Sequence, residues 1–475
     1  MITLLAAVLS GVMFYLSQGF DNVWVLVWLA PVPLLWLAYG GTPVRSVMVA
    51  TAVAILASAG YILQSPYLHL IPPLVFISAL GLFAGLFCAA VWFARYVQRR
   101  ASPLLTLFAF PACWTAFEFL MELRSPNGTY GSLAYSTLAA PVLIQSASLF
   151  GMYAVTFLIC LFANTVAMAL APKRHAVAAI GLGALICAAA VMFGIVRLVR
   201  PQSQVVRVAA IVDETALSDS WRAHSLSADL VVTETYAREI RLAAREGARF
   251  AVTPEGGMAS LPDAQTAIIA PLVAASRDTG VQIVAGFHSD TPPADFALAI
   301  TSDGRIQRYD KRHPVPGLED RFTPGRVSGW LGDGRAAEIC KDMDFPDTIR
   351  ADAAMGVRLM GVPAGDMGID GWQHGIMSVM RGVEGGFAMV RPAHDGLVIA
   401  SDAQGRLVAV KKDAPTGLTM VVADLALGPG PTLYTRIGNL FPWICVVWSL
   451  VLGAALASGR WLRGERRGQA AANHV

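Results

Sequence analysis

Apolar residues fill the first 200 positions in long runs, near 1–17, 23–40, 46–64, 70–94, 103–121, 142–171 and 176–198. An eighth run, "IGNLFPWICVVWSLVLGAALASG", covers about 437–459. A helix needs roughly 17–25 apolar residues to cross a bilayer, so the pattern predicts seven spans, a polar stretch and one closing span. The first run carries no Lys or Arg after the start; it lacks the basic n-region of a secretory signal and reads as a retained span. The sixth is long enough to hold a re-entrant or tilted portion.

Between 205 and 436 the pattern changes. Short apolar segments at 205–212, 249–255, 281–288, 296–301, 336–345, 357–364 and 397–402, most with β-branched residues, read as strands. Helical patterns at roughly 225–247, 262–279 and 372–386 separate several of them. That alternation predicts an α/β domain with helices outside a central sheet. The expected organisation is a seven-span membrane domain over 1–200, a polar domain over 205–436, a final span over 437–459 and a basic tail over 460–475.

Charge sharpens the division. Residues 205–436 hold 29 of the 33 acids and 23 of the 36 basic residues, a net of −6, and the remainder nets +9. Arg45, then Arg95, Arg99 and Arg100, then Lys173 and Arg174 mark alternate connections, and Arg460, Arg463, Arg466 and Arg467 mark the tail. The opposite connections carry only Arg124 and, where the seventh run meets the polar domain, Arg197 and Arg200, charge that a long translocated domain tolerates. The positive-inside rule therefore places both termini in the cytoplasm and the polar domain outside it. No basic stripe interleaved with aromatics appears there, which argues against nucleic-acid binding.

Chemistry has few candidates. The chain has no GxSxG, HExxH, GxxxxGK[ST] or GxGxxG signature, and its eight histidines show no metal-ligand spacing. No metal or cofactor is expected. Cys340 in "EICKDMDFP" is the only one of six cysteines outside an apolar run; Glu255 in "TPEGG" and Lys311 in "RYDKRHPVPG" also follow predicted strands. Taken singly, such a cysteine is most often a small buried apolar residue, and such a Glu or Lys a solvated charge. Together they suffice for acyl transfer: a carboxylate takes the thiol proton, and an ammonium stabilises thiolate and oxyanion.

The order Glu255, Lys311, Cys340 and the text "PEG", "YDKRHPVPGLE" and "ICKDMDFP" resemble the nitrilase, or carbon–nitrogen hydrolase, superfamily. That resemblance implies an αββα sandwich with Cys340 as nucleophile, Glu255 as general base and Lys311 on the oxyanion side. Glu319 matches the superfamily's second, supporting glutamate, and Asp342 stands where it has Glu two residues after the cysteine. The membrane frame, with "WVLVWLAPVPLLWLA", "AFEFL", "YGSLAYSTLAAPVLIQSASLFGMYAVTFLICLFAN" and "PTLYTRIGNLF", resembles the apolipoprotein N-acyltransferase family. The implied location is the bacterial inner membrane, with a periplasmic catalytic domain. The implied partners are a phospholipid acyl donor, a diacylglyceryl lipoprotein acceptor and membrane lipids. Two departures bear on the substrate. Lys341 stands where the acyltransferases usually have tyrosine, and 361–386 lacks their Asn-Asp-x-Trp-Phe text, with Trp372 as a substitute. Lys341, Trp372 and Glu118, an acid in the fifth span, are the candidate substrate contacts. The competing readings are a membrane-tethered amidase with the same triad and water as acceptor, and a transporter or scaffold with an inactive nitrilase-like domain.

Overall fold

The computed structural model describes residues 1–18, 22–64, 68, 71–171, 176–201, 204–223, 225–259 and 262–458. Lys173, Arg174, the tail at 460–475 and most of the connections at 17–22 and 64–69 lie outside them. The chain forms two compact units.

The first unit comprises Met1–Ser125, Gly131–Ile195 and the chain from Asn439 onward. Its helices are α1 (Ile2–Gln18), α2 (Val25–Leu29), α3 (Val32–Tyr39), α4 (Val44–Ser58), α5 (Pro73–Arg100), α6 (Pro103–Glu122), α7 (Pro141–Ile144), α8 (Ala147–Phe150), α9 (Met152–Leu170) and α10 (Val177–Leu198). α17 (Leu440–Ala457) is the closing helix. Among the described residues, six helices are long and apolar enough to cross a membrane: Val44–Gln64 (α4 with its 3-10 extension), α5, α6, α9, α10 and α17. The second apolar run is broken between α2 and α3 at Ala30–Pro31. The sixth is broken at Gly151, whose φ of 76° an L side chain rarely adopts. Rings of Phe14, Phe87, Phe110 and Trp114 meet edge to face within the unit. Asn164 Nδ2 binds two carbonyls near the start of α6, donating to Thr106 O and Leu107 O at 3.0 and 2.9 Å.

The second unit comprises Pro126–Tyr130 and Val196–Gly438. Its strands are β1 (Val205–Asp213), β2 (Phe250–Val252), β3 (Met258–Ala259), β4 (Gln282–Asp290), β5 (Pro293–Ile300), β6 (Ile306–Asp310), β7 (Trp330–Gly332) and β8 (Arg335–Ala337). They continue with β9 (Leu359–Gly361), β10 (Ala364–Gly365), β11 (Ala388–Arg391), β12 (Ala393–His394), β13 (Leu397–Ser401), β14 (Leu407–Lys412) and β15 (Leu418–Ala426). One sheet runs β15-β1-β2-β4-β5-β6 with β3 beside β4, and another runs β14-β13-β11-β9-β8-β7. Both have a parallel centre, β1-β2-β4 in one and β8-β9-β11 in the other.

The two sheets face each other across a core of Val208, Phe250, Val252 and Val284 from one and Ala337, Leu359, Val390 and Val398 from the other. On the far side of the first sheet, α12 (Leu226–Arg245) and α13 (Gln265–Thr279) pack Tyr236, Ile240, Ile268 and Leu272 against Ile211, Ile283 and Phe287. Ser225 caps α12, its side chain accepting from Ala228 N at 3.3 Å, and Gly280 ends α13 at φ 73°. α11 (Glu214–Ala223) follows β1 and α16 (Leu433–Ile437) follows β15, while α14 (Pro346–Ala354), after β8, and α15 (Gly371–Gly385), after β10, complete the αββα sandwich. Three expected strands are shorter than their apolar text: 249–255 is a strand over Phe250–Val252, 357–364 over Leu359–Gly361, and 336–345 only to Ala337, with Cys340–Asp344 a 3-10 turn. The polar residues of 336–345 find partners in the turn that a sheet would deny them.

Candidate active site

The catalytic candidates leave the carboxyl ends of strands, where an α/β sheet opens a crevice. Glu255 follows β2 and Cys340 follows β8, each three residues beyond its strand, and Lys311 directly follows β6. One segment fixes the first two: Glu255 N donates to Ala364 O at 3.3 Å and Cys340 N to Pro363 O at 2.9 Å. The Cys340 thiol donates to the next carbonyl, Gly365 O, at 3.3 Å. Asp366 and Arg391 anchor that segment with a buried bidentate pair of 2.6 and 3.0 Å. Gly286 lets the Glu255 loop pass, because a Cβ there would collide with Pro254 O.

Cys340 itself sits at φ 40°, a left-handed conformation costly for a residue with a Cβ. The surroundings hold it there. Asp342 Oδ1 accepts from Arg312 N at 3.0 Å and His313 N at 2.7 Å, while Oδ2 accepts from Tyr309 OH at 2.7 Å and Ile339 N at 3.3 Å. One carboxylate thus ties the Lys311 loop to the cysteine turn. Burial raises the Asp342 carboxyl to about 6, against the pull of Tyr309, Lys311 and Arg312. Arg312 backs the arrangement, pairing with Glu338 at 2.6 Å and with Asp352, its Nε donating to Tyr309 OH at 3.0 Å.

Lys311 is 1% exposed. Its Nζ lies 2.5 Å from Glu255 Oε1, 2.7 Å from Glu319 Oε2 and 3.3 Å from Asp295 Oδ2. Burial opposes the charge on the ammonium, but Glu255, Asp295 and Glu319 outweigh it and hold its pKa well above the ordinary value. Burial likewise pushes Glu255 up, yet Lys311 brings it below the usual carboxylate range. The thiol of Cys340 is pushed well up, first by burial and then by the Glu255 charge, with Lys311 and Arg391 opposing. The resting site therefore pairs a neutral thiol with an ionised glutamate and a protonated lysine. That combination suits a nucleophile whose proton leaves as the attack occurs.

The other expected residues have separate surroundings. Lys341 is 7% exposed; its Nζ donates to Asn127 Oδ1 at 3.2 Å and lies 3.6 Å from Asp344 Oδ2. Thr129 N and Oγ1 both donate to Asp344 O, at 3.0 and 2.8 Å, so Pro126–Tyr130 forms part of the wall behind the cysteine turn. Trp372 is half-buried in the first turn of α15. Glu118 belongs to the helical unit, 2% exposed, and accepts from Ser132 Oγ at 2.6 Å, Thr156 Oγ1 at 2.7 Å and Leu133 N at 3.4 Å.

Sequence reasoning missed Asp295, Tyr309, Arg312, Glu338, Asp352, Asp366 and Arg391. A faint signal existed in the charged residues next to apolar strand text, as in "AAEIC" and "MVRP".

Fold and site together define a membrane-embedded protein with a catalytic domain of the carbon–nitrogen hydrolase class. The carbon–nitrogen hydrolase family model matches residues 207–427, and the apolipoprotein N-acyltransferase N-terminal domain matches 10–165. Two curated relatives align almost end to end. The apolipoprotein N-acyltransferase of Geobacter metallireducens is 25% identical, over 96% of this chain and 95% of its own. That of Gloeobacter violaceus is 26% identical, over 97% and 95%. A solved amidase from Nesterenkonia sp. overlays with a TM-score of 0.40 at 22% identity, covering 53% of this chain and 98% of that one. The chain joins an apolipoprotein N-acyltransferase N-terminal domain to a carbon–nitrogen hydrolase domain.

Proposed function

We propose that this enzyme moves an acyl chain from a phospholipid, through a thioester on Cys340, to the α-amine of a lipoprotein's N-terminal diacylglyceryl-cysteine. The observation that carries this reading is the geometry around Lys311: one buried ammonium bonded to Glu255 and Glu319, with Asp342 joining its loop to the strained turn that presents Cys340. Relatives named as apolipoprotein N-acyltransferases support the choice of a lipoprotein amine as acceptor.

In the first half-reaction Glu255 takes the thiol proton as sulfur attacks the ester carbonyl. Lys311 and nearby backbone N–H groups stabilise the oxyanion. The ester C–O bond breaks, the leaving alkoxide takes the proton from Glu255, and lysophospholipid departs. In the second half the free amine attacks the thioester carbonyl, Glu255 receives a proton from the nitrogen, and the thiolate leaves and is reprotonated. Glu319 and Asp342 support the site by holding Lys311 and its loop. The thioester must be kept from water until the amine arrives. Of the three expected substrate contacts, Trp372 is half-buried in the first turn of α15, Lys341 is turned to Asn127 and Asp344, and Glu118 is held by Ser132, Thr156 and Leu133. The connections bearing Arg45 and Arg95–Arg100 support cytoplasmic termini and a periplasmic catalytic domain, residues 205–436, at the inner membrane.

The test supplies purified protein in nanodiscs with a phospholipid carrying a labelled acyl chain and a diacylated lipopeptide with a free amine. Label recovered as an amide on the peptide is expected. Label recovered only as free fatty acid would assign the site to hydrolysis, and no consumption of the donor would overturn the enzymatic reading.

A further inference from the structure

Three carboxyl groups share one cation on the sealed side of the site. Oxygens of Glu255, Asp295 and Glu319 all lie within 4.8 Å of one another, and Lys311 Nζ reaches each of the three. Asp295 is 5% exposed. Its Oδ2 faces Lys311 at 3.3 Å, but no hydrogen-bond donor reaches its Oδ1 among the described residues. A bare carboxylate oxygen buried without a donor is costly. Two bare carboxylates in one sealed site repel strongly enough that one of them keeps a proton. Glu255, nearer the ammonium at 2.5 Å, is the better placed to stay ionised.

We infer that Asp295 is a protonated acid that donates its hydrogen bond to Glu255, making the base of this site a two-carboxyl unit. This rests on the assignment of Glu255 as the general base. Burial and the Glu255 charge both hold the Asp295 carboxyl well above its ordinary value, and the bond from Asp295 helps keep Glu255 low. Asp295 touches neither substrate nor the reacting atoms, so it is a positioning residue. It fixes the orientation of Glu255 and leaves the cluster one negative charge lighter, which keeps Lys311 available to the oxyanion.

The surrounding groups are Glu255 after β2, Lys311 after β6, Glu319 in the following turn, and His288 opposite Asp295 on β4. Burial lowers the pKa of His288, so its ring is neutral across this range. Cys340 faces Lys311 and Glu255 from the other sheet, and Arg391 and His394 act on Glu255. As pH rises through the raised pKa of Asp295, its proton leaves. The second negative charge then draws Lys311 from the oxyanion position, and the rate falls.

The experiment measures single-turnover thioester formation on Cys340 across neutral and alkaline pH for wild type, Asp295→Asn and Asp295→Ala. Wild-type thioester formation is established first, so failure of the acyl-transfer reading is seen before the variants are compared. Asp295→Asn keeps a neutral donor; it is expected within about threefold of wild type at neutral pH and to hold its rate where wild type declines. Asp295→Ala is expected to lose about 10²-fold, the scale of a misplaced base. An infrared difference between wild type and Asp295→Asn, read without turnover, should show the carbonyl band of a protonated carboxylic acid in wild type. The inference fails if Asp295→Asn loses as much as Asp295→Ala, if its alkaline limb coincides with that of wild type, or if the difference band is that of a carboxylate.

Discussion

Glu255 and Glu118 are both nearly sealed from solvent, at 8% and 2% exposure, and their partners separate them. Glu255 has a buried ammonium at 2.5 Å, with further carboxyl groups around the same lysine. Glu118 has two hydroxyls and a backbone N–H from Ser132, Thr156 and Leu133, all within its own unit. Neutral donors satisfy a buried acid and tie elements together. A shared cation does more, because it keeps the acid ionised and ready to accept a proton. An acid in a span is a functional candidate by default; its partners decide what it contributes.

Removing the cation should break the catalytic side of this comparison most severely. Lys311→Met leaves the carboxyl cluster without its ammonium and is expected to lower single-turnover thioester formation by about 10³-fold or more, with a fall in Tm by calorimetry. Glu255→Gln keeps the shape and removes the base, with an expected loss of about 10²–10⁴-fold in the same assay. Arg312→Met leaves Glu338 and Asp352 buried without their cation. Breaking such a pair costs about 3–5 kcal/mol, to be read as a drop in thermal stability accompanied by slower turnover.

A pH test extends the comparison to an acid away from the site. Burial, with Asp213 beside it, raises Glu239 to about 8 from a model-peptide value near 4.5. Because the folded value is raised, this stabilising contribution is complete below about 4.5 and is lost as pH rises through about 8. Glu239→Gln should therefore gain in Tm relative to wild type above that pH, and less below it. The smallest effect is expected at Glu118. Glu118→Gln retains an acceptor for Ser132 and Thr156 and should transfer acyl chains within about threefold of wild type; a loss comparable to Glu255→Gln would erase the distinction drawn here.

The parts of this architecture that were readable from sequence are those with a local signature. Apolar length marks the spans, β-branched runs mark β1, β4 and β13, and glycine, proline or charge after a strand marks Glu255, Lys311 and Cys340. The breaks at Ala30–Pro31 and Gly151 interrupt runs whose hydropathy does not change, so periodicity alone hides them. β15 is not among the expected strands, although "LTMVVADLA" is bounded by "PTG" and "GPGP" and pairs with β1 along nine positions. Asp295, Arg312, Glu338 and Arg391 escaped for a different reason. Each is a charge whose meaning comes from partners tens of residues away, as Arg312 meets Asp352 forty positions later. Lys341 shows the same limit: beside the nucleophile in sequence, it reads as a substrate contact, but its ammonium is turned to Asn127 and Asp344.

The central claim is that Cys340 carries the acyl chain between donor and acceptor. The direct measurement incubates the purified protein with a phospholipid of defined acyl composition and no acceptor, quenches in acid, and maps modified peptides by mass spectrometry. The donor's acyl mass is expected on the peptide containing Cys340, labile to hydroxylamine and absent in Cys340→Ala. Acylation at another residue, or an unmodified Cys340 while lysophospholipid still accumulates, would contradict it.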